Sequence, residues 1–306
     1  VTKSKGQSDT PCVAVLLALH NGEPWITPQV ESILEQVGVD VEIFVQPFET
    51  TDASMESLRA FHDDRITLLP EHHIAGAASN FLAMLASGVH SGADYVAFAD
   101  QDDIWLCHKL DRAISVMRAQ QAAGYSSSVL SFGETRSRLI KKHHPQTEVD
   151  YMFESPGPGC TFVLDRSLAD SMSHWLRNLG NPLLGEVGYH DWLVYAYARS
   201  RGFAWTIDDS VTMLYRQHAG NVLGAPGSLP ALTKRFNKAR SGWYREEVLR
   251  LGERLGYEAR LPLGGPMTQT LPFRGALSLR RSKPRSLAAW LAFNYSTLRE
   301  ASGSHR

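Results

Sequence analysis

The stretch Asp100-Gln101-Asp102-Asp103-Ile104-Trp105 follows directly on the apolar run from Tyr95 to Ala99, which predicts a short, fully buried strand. Strands of that kind belong to sheets covered on both faces, as in α/β folds. Carboxylates that leave such a sheet together at its carboxyl edge repel one another unless a cation or a dense donor network sits among their oxygens. Hard divalent metals prefer oxygen ligands, so the pattern points to metal-assisted handling of a phosphate ester. The alternative is that the acids cap the helix predicted near His108 or sit in solvated turns, a frequent use of Asp.

The segments before this loop support an α/β architecture. Cys12 to Leu19 reads as a strand. Thr27-Pro28 offers an N-cap followed by Pro at the first helical position, Val30, Ile33, Leu34 and Val37 recur at helical spacing, and Gly38 stops the helix. A strand over Val41 to Val45, a helix near Ala53 to Phe61, a strand over Ile66 to Leu69 and a helix over Ala77 to Ser87 follow. The order βαβαβαβ predicts a mostly parallel central sheet flanked by helices. Beyond the acidic loop come a helix over Leu110 to Gln121, a strand over Ser126 to Phe132 and a polar, basic, His-rich loop from Glu134 to Met152. A strand over Gly159 to Leu164, helices near Leu168 to Leu179 and Asp191 to Arg199, and strands over Phe203 to Ile207 and Val211 to Tyr215 complete the expected core.

The chain of 306 residues divides by composition into a flexible tail (1–10), an α/β domain (11–224) and a mainly helical, basic C-terminal region (225–306). The acid-free stretch from Leu261 to Arg299 carries Arg280, Arg281, Lys283 and Arg285 beside Leu287, Trp290, Leu291 and Phe293, a pattern expected of a helix that dips into an anionic membrane surface. A helical appendage or an oligomer contact is the other reading of that segment. The formal net charge of -1 gives no reason to expect nucleic acid as a partner. Cys12, Cys107 and Cys160 form no C-x-x-C pair and leave an odd count for disulfides, and no apolar stretch reaches the length of a membrane span. A cytoplasmic protein, peripheral at most on the cytoplasmic face of the inner membrane, is expected.

The order of four segments resembles a known family. Leu17-Ala18-Leu19-His20-Asn21-Gly22 leaves the first strand, Asp100-Gln101-Asp102-Asp103-Ile104-Trp105 follows, then His190-Asp191-Trp192-Leu193, and finally Tyr215-Arg216-Gln217-His218-Ala219-Gly220-Asn221-Val222. In this order the chain resembles family 2 glycosyltransferases of the GT-A (Rossmann-like) fold, and among them bacterial rhamnosyltransferase-type enzymes of surface polysaccharide synthesis. The resemblance implies an inverting, metal-dependent enzyme that moves a hexosyl group from a nucleoside diphosphate sugar to a glycan or lipid-linked glycan. It implies Mn²⁺ or Mg²⁺ as cofactor, with Asp102 as principal ligand and Asp100 and His218 beside it, because a metal ion stabilises the charge of a departing diphosphate without proton transfer. His20, Asn21, Gln46, Phe48, Asn80, Asp100, Arg216 and His218 are assigned to the nucleotide sugar. Asp191 is the candidate general base, with His190 sharing proton handling, and Trp105, Gly159, Cys160 and Trp192 are expected on the acceptor side.

Two features qualify this reading. An Asp at a helix start is also a good N-cap, and the helix dipole opposes its basicity. Where relatives carry an Asp-Asp-Gly turn after the second strand, this chain has Gln46-Pro47-Phe48-Glu49, so Phe48 stacking, Gln46 hydrogen bonding or Glu49 is expected to stand in for that carboxylate recognition of the base, the other reading of Phe48 being a loop residue packed on the core. That departure is the support for a rival, a transferase-like module that binds sugar nucleotide or glycan without turnover. An aspartyl phosphatase is a weaker rival, since its acidic loop follows the first core strand.

Overall fold

The computed structural model describes residues 10–71, 73, 76–133, 136–180, 185–218, 242–257 and 276–303, with side chains of the last helix described to residue 294. Strands β1 (Cys12–Leu19), β2 (Asp40–Pro47), β3 (Ile66–Leu68) and β4 (Tyr95–Ala99) lie parallel in the order β3-β2-β1-β4. Helices α1 (Ile26–Leu34), α2 (Ser54–Arg59) and α3 (Ala77–Ser87) connect them, as the alternating pattern requires. β1 is buried on both faces because its side chains alternate between two cores. Val13, Val15, Leu17 and Leu19 join Ile26, Val30 and Ile33 of α1, while Leu16 and Ala18 face Phe81, Leu82 and Leu85 of α3.

The second half mixes directions. After β5 (Ile104–Trp105) and α4 (Lys109–Gln120) come β6 (Gly124–Phe132), β7 (Ser137–Ile140) and β8 (Val163–Asp165). Then follow α5 (Arg166–Leu179), α6 (His190–Ser200) and β9 (Trp205–Arg216). β8 pairs antiparallel with both β4 and β6, β9 runs parallel to β6, and β5 closes antiparallel on β9, so β6 and β9 run with the first half and β8 and β5 against it. The sheet order β3-β2-β1-β4-β8-β6-β9-β5 thus separates β4 from β5, although only residues 100–103 join them in sequence. So short a link reaches across the intervening strands, spaced about 4.8 Å each, because the sheet curls on itself. This curl brings the end of β9 over the acidic loop.

Local differences from the expected elements have physical causes. α1 starts at Ile26, with Trp25 at the N-cap position and no side-chain cap, so Thr27 lies inside the first turn, and Val37 lies beyond the helix and is exposed. Within the stretch predicted as loop, β7 pairs with β6 as a hairpin. Residues 159–161 form a 3-10 turn rather than the start of a strand, since Gly159 must fold tightly under His190.

The described parts of the C-terminal region pack into the domain. In α7 (Trp243–Arg254) and α8 (Lys283–Gly303), and beside them, Val248, Leu251, Leu255, Leu279 and Phe293 share the core of α3, α5 and α6. The basic segment expected at a membrane is therefore partly turned inward. Arg281 Nη1 donates to Asp150 Oδ2 at 2.8 Å and Nη2 to the Ser155 carbonyl at 2.7 Å, while Arg280 Nε lies 3.3 Å from Glu154 Oε2. Tyr195 donates to the same Asp150 oxygen at 2.8 Å, and Arg199 joins from α6. Phe293 is fully buried and Trp290 packs on the core, so only Lys283, Arg285, Leu287 and Leu291 keep the exposure that the membrane pattern requires. Residues 219–241 and 258–275, which hold part of the expected basic region and the Gly-Asn turn after His218, lie outside the described residues.

Asp150 is fully buried, so removing a cationic partner leaves uncompensated charge in the interior. Arg281→Met is expected to lower stability by roughly 3 kcal/mol in urea unfolding. Lys283→Met, on the exposed turn of the same segment, should stay within about 0.5 kcal/mol.

Candidate active site

The site lies at the carboxyl ends of β1, β2 and β4, where the loops meet the end of β9. β1 leads into His20, which stacks on Phe48 with ring centroids 4.5 Å apart and donates from Nδ1 to the Phe48 carbonyl at 3.0 Å. The Gln101 side chain clamps the His20 backbone from the other side. Its Oε1 accepts from His20 N–H at 2.7 Å and its Nε2 donates to the His20 carbonyl at 2.9 Å. Gly22 is required beneath it, because a Cβ there would fall 2.9 Å from Gln101 Cδ. Asn21 takes a positive φ of 49° and its Oδ1 accepts from Thr51 N–H at 2.8 Å. Asn21 therefore ties the β1 loop to the β2 loop, and Phe48 is the platform for His20.

The acidic loop divides its carboxylates by direction. Asp103 is fully buried, accepts from Arg216 N–H at 3.1 Å and lies with Asp100 and Cys160 in a group whose ligand atoms fall within 4.8 Å of one another. Burial, then the charges of Asp100 and Asp102, raises the Asp103 pKa well above the carboxylate range. Burial, reinforced by the charges of Asp102 and Asp191, pushes Asp100 up to about 7. Burial and the two acids likewise raise the Cys160 thiol. Lys109 completes the buried set: its Nζ sits 3.6 Å above the Trp105 ring, and burial lowers its pKa to about 7 while Cys160 and Asp103 work in the opposite sense.

Asp102 points to the rim instead. Its Oδ2 lies 2.7 Å from His218 Nε2, and Arg216 Nε donates to the Asp102 carbonyl at 2.8 Å. His218 is held in turn by stacking on Trp25, with centroids 4.0 Å apart. Gln29 of α1 anchors the loop by donating to the Asp100 carbonyl at 2.9 Å. Asp191, in the first turn of α6, faces this edge closely enough for its charge to raise the Asp100 pKa, and its Oδ1 accepts from Trp192 N–H at 2.8 Å. It does not occupy the N-cap position, which belongs to Tyr189.

At the end of β2, Asn80 Nδ2 donates to the Gln46 carbonyl at 2.9 Å, and Gln46 Nε2 donates to the Pro70 carbonyl at 3.3 Å. Among the described residues, Asn80 Oδ1 and Gln46 Oε1 are both buried without a hydrogen-bond donor.

Comparison with known proteins places this arrangement. The family described as glycosyl transferase family 2 matches residues 14–174, which contain the acidic loop and the strands that carry it. The chain belongs to glycosyl transferase family 2. It is 37% identical over 244 residues to the dTDP-rhamnosyl transferase RfbG of Shigella flexneri, covering 78% of this chain and 84% of that one. It is 27% identical over 190 residues to an Escherichia coli UDP-Glc:alpha-D-GlcNAc-diphosphoundecaprenol beta-1,3-glucosyltransferase, WfgD, covering 60% and 70%. Among solved structures, S. aureus TarS 1-349 in complex with UDP aligns with a TM-score of 0.53 at 16% identity over 96% of this chain and 92% of that one. The mannosyltransferase PcManGT from Pyrobaculum calidifontis in complex with GDP-Man and Mn²⁺ gives 0.52 at 17% identity over 96% and 79%. The structural likenesses carry the GT-A fold, and the family carries the activity: this is a glycosyltransferase.

Several residues expected to touch substrate in this glycosyltransferase serve as its supports. Trp105 is buried on β5 under Lys109, and Cys160 lies beneath the acidic loop rather than on the acceptor side. Trp192 is buried, donates from Nε1 to the Tyr151 carbonyl at 2.9 Å and stacks on Tyr244. The His190 ring packs against Phe81 and Phe98, with Nε2 enclosed and unpartnered among the described residues, and a Cβ on Gly159 would fall 2.1 Å from it. His190 and Gly159 thus form a packed wall behind Asp191, and an enclosed Nε2 has no route to a reacting hydroxyl. Gln101, Gln29, Trp25 and Lys109, which motif reading passed over, hold the site together. A basic residue in the first turn of α4, where the helix dipole disfavours a cation, is the sequence signal by which Lys109 could have been found.

Burial lowers the His190 pKa, with Asp191 opposing. The unfolded chain therefore binds more protons as pH falls through about 6.5, and the stability from neutral His190 is present above that pH and lost below it. The stability advantage of the parent over His190→Gln should shrink between about pH 7.5 and 5.5 in denaturant titrations. An advantage independent of pH would mean that the ring stays accessible to protons.

Proposed function

We propose that this enzyme is an inverting, metal-dependent transferase that moves a hexosyl group, rhamnosyl by its likeness to RfbG, from a nucleoside diphosphate sugar to a hydroxyl of a glycan or lipid-linked glycan. The observation that carries the reading is the meeting of Asp102 with His218 and Arg216 on the rim, with Asp191 facing the same edge. Charge-handling groups and a carboxylate thus flank one position, as direct displacement requires.

The donor set fits a hard divalent cation. Asp102 Oδ2 and His218 Nε2 lie 2.7 Å apart, with a second carboxylate, Asp100, behind them, and the carboxylate oxygens are the ligands that Mn²⁺ and Mg²⁺ prefer. A bound ion would offset the negative charge that gathers on the departing diphosphate. Arg216 adds a fixed positive charge from the end of β9. Asp191 accepts the proton of the acceptor hydroxyl as that oxygen attacks the sugar carbon from the face opposite the diphosphate. The packed wall of His190, Phe81 and Gly159 keeps the carboxylate in place.

Base recognition rests on Gln46 and Asn80. Their unpartnered carbonyl oxygens select a base that offers N–H donors at that depth, the task a carboxylate performs in relatives. The acceptor-side surface also keeps Lys283, Arg285, Leu287 and Leu291 exposed, which supports peripheral contact with a membrane that carries a lipid-linked acceptor. Among the described residues, no helix is long and apolar enough to cross one.

Asp102→Ala should abolish transfer while melting within about 2 °C of the parent, and chelation by EDTA should reproduce the loss until Mn²⁺ or Mg²⁺ is restored. Full activity in EDTA would leave the diphosphate to Arg216 and His218 alone. Asp191→Asn cannot accept a proton and should cost a factor of about 10² to 10⁴ in turnover with the donor KM little changed. Turnover within a few-fold of the parent would remove Asp191 from the reaction. A parent protein that binds nucleotide sugar yet neither transfers nor hydrolyses it would favour the binding module.

A further inference from the structure

The segment from Tyr151 to Cys160 is largely buried, yet between the 3-10 turns at Asp150–Met152 and Gly159–Thr161 it has no regular structure. Buried irregular backbone must find hydrogen-bond partners outside any helix or sheet. Here side chains from three elements take alternate carbonyls. Trp192 Nε1 of α6 donates to the Tyr151 carbonyl at 2.9 Å, the Tyr244 hydroxyl of α7 to the Phe153 carbonyl at 2.7 Å, and Arg281 Nη2, just before α8, to the Ser155 carbonyl at 2.7 Å. The Arg281 backbone N–H also donates to Glu154 Oε1 at 2.6 Å and its Nη1 to Asp150 Oδ2 at 2.8 Å, so this one residue fixes the segment at several points.

The far end of this segment lies in the candidate active site. Ser155 Oγ closes a turn by donating to the Gly157 carbonyl at 2.6 Å, and Gly159 then packs under His190, where a Cβ would fall 2.1 Å from Nε2. Cys160 follows, with its sulfur within 4.8 Å of carboxylate oxygens of Asp100 and Asp103. Asp191 is bracketed through its own neighbours: His190 rests on Gly159 and Trp192 on the Tyr151 carbonyl, so both residues that flank it are held by the same segment. The rings of Trp192 and Tyr244 stack with centroids 6.0 Å apart, which couples the anchor on α7 to the anchor on α6. Phe153 meets Phe293 edge-on at 6.4 Å and seats the middle of the segment on α8. A packed connection therefore runs from the C-terminal region to the carboxylate read as the base. Tyr244 and Arg281 lie beyond residue 174, where the family match ends, and outside every motif of the resemblance.

We propose that Tyr244 and Arg281 are positioning residues of the transferase: by holding alternate carbonyls they set the course of residues 151–160 and, through Gly159 and Trp192, the place of the Asp191 carboxylate. The inference rests on the reading of Asp191 as the base. Both residues act through the backbone they hold. A base must stand within hydrogen-bond reach of the attacking hydroxyl, and a misplacement of about 1 Å costs on the order of 10²-fold in rate. The loops assigned to the donor follow β1, β2 and β4 and carry their own ties, among them Gln101 to His20 and Asn80 to Gln46. Losing an anchor of the 151–160 segment should therefore lower turnover and leave donor affinity in place.

The test follows hydrolysis of dTDP-rhamnose with Mn²⁺, in which water takes the place of the acceptor, together with hydrogen exchange of the same full-length proteins. Tyr244→Phe keeps the ring stack on Trp192 and removes only the hydroxyl, while Arg281→Lys keeps a cation for Asp150 but cannot also reach the Ser155 carbonyl. Each should lower kcat about tenfold, with the donor KM within about twofold of the parent. Amides of residues 151–162 should exchange about threefold faster or more, and those of β1 as in the parent. Arg250→Gln, on the exposed face of α7, should change neither readout. Assays run well below the melting temperature measured for each variant, so loss of the fold is excluded. Faster exchange with unchanged kcat would make the anchors merely structural and overturn the proposal. A lower kcat with unchanged exchange, or a donor KM that rises with the loss of kcat, would overturn it as well. A parent that hydrolyses the donor and is matched by both variants defeats this inference alone, whereas a parent that turns over neither dTDP-rhamnose nor any of a panel of UDP- and GDP-hexoses defeats the transferase reading beneath it.

Discussion

Carboxylates crowd the end of β4, and holding them there costs several kcal/mol unless donors or positive charge reach each one. The surrounding structure is arranged by that need. Asp103 turns inward to the Arg216 N–H, with the Lys109 ammonium behind it, and Asp102 turns outward to His218. Asp100 lies between them with its pKa raised, short of full compensation. Lys109 follows close on the loop at the start of α4, whereas Arg216 and His218 come from the end of β9, more than a hundred residues on. They arrive only because β5 pairs with β9 and the sheet curls. Under the proposed function, a divalent cation on the rim would complete the compensation that the described side chains leave unfinished.

The same logic separates the basic residues of the C-terminal region. Arg280 and Arg281 neutralise Asp150 and Glu154 and so dock the region into the core that carries α6. Lys283 and Arg285, a few residues on, remain outside. A stretch that looks uniformly basic in sequence therefore divides in two: Arg280 and Arg281 are held inside, Arg281 also donating to the Ser155 carbonyl, and Lys283 and Arg285 are left exposed. Composition alone cannot make that distinction, because the acids that absorb the first pair lie more than a hundred residues earlier in the chain.

Legibility followed the range of the interactions. β1, β2, β4 and their connecting helices read directly from apolar runs and helical spacing, since each is fixed by its own pattern and by burial on both faces. The acidic loop, Asp191 and His218 were legible as motifs, and the structure brings them to one edge. What escaped was set by contacts across the sheet. Trp105, Cys160 and Trp192 carry side chains equally suited to a sugar platform or to a core, and only the curl of the sheet turns them inward. The closeness of Gly159 to His190 is a contact between a 3-10 turn and a helix start, with no local signature in either. The β7 hairpin hid in a polar stretch because its outer face is solvent-exposed.

The lost carboxylates after β2 are the most informative departure from the family pattern. A carboxylate would accept a stronger, charge-assisted hydrogen bond from a base, but it would add negative charge to an edge already crowded by Asp100, Asp102 and Asp103. Here Pro47 ends the strand, Phe48 supports His20, and the neutral carbonyl oxygens of Gln46 and Asn80 are buried without donors among the described residues. A buried acceptor left unpaired costs about 1–3 kcal/mol, and a partner that presents an N–H group in the right place relieves that cost. Neutral acceptors therefore give up some affinity and keep discrimination, because a base without the matching donors leaves them unsatisfied. Under the proposed function, binding strength would be carried by the diphosphate end of the donor and its counter-ion, while the base end would decide which nucleotide is admitted.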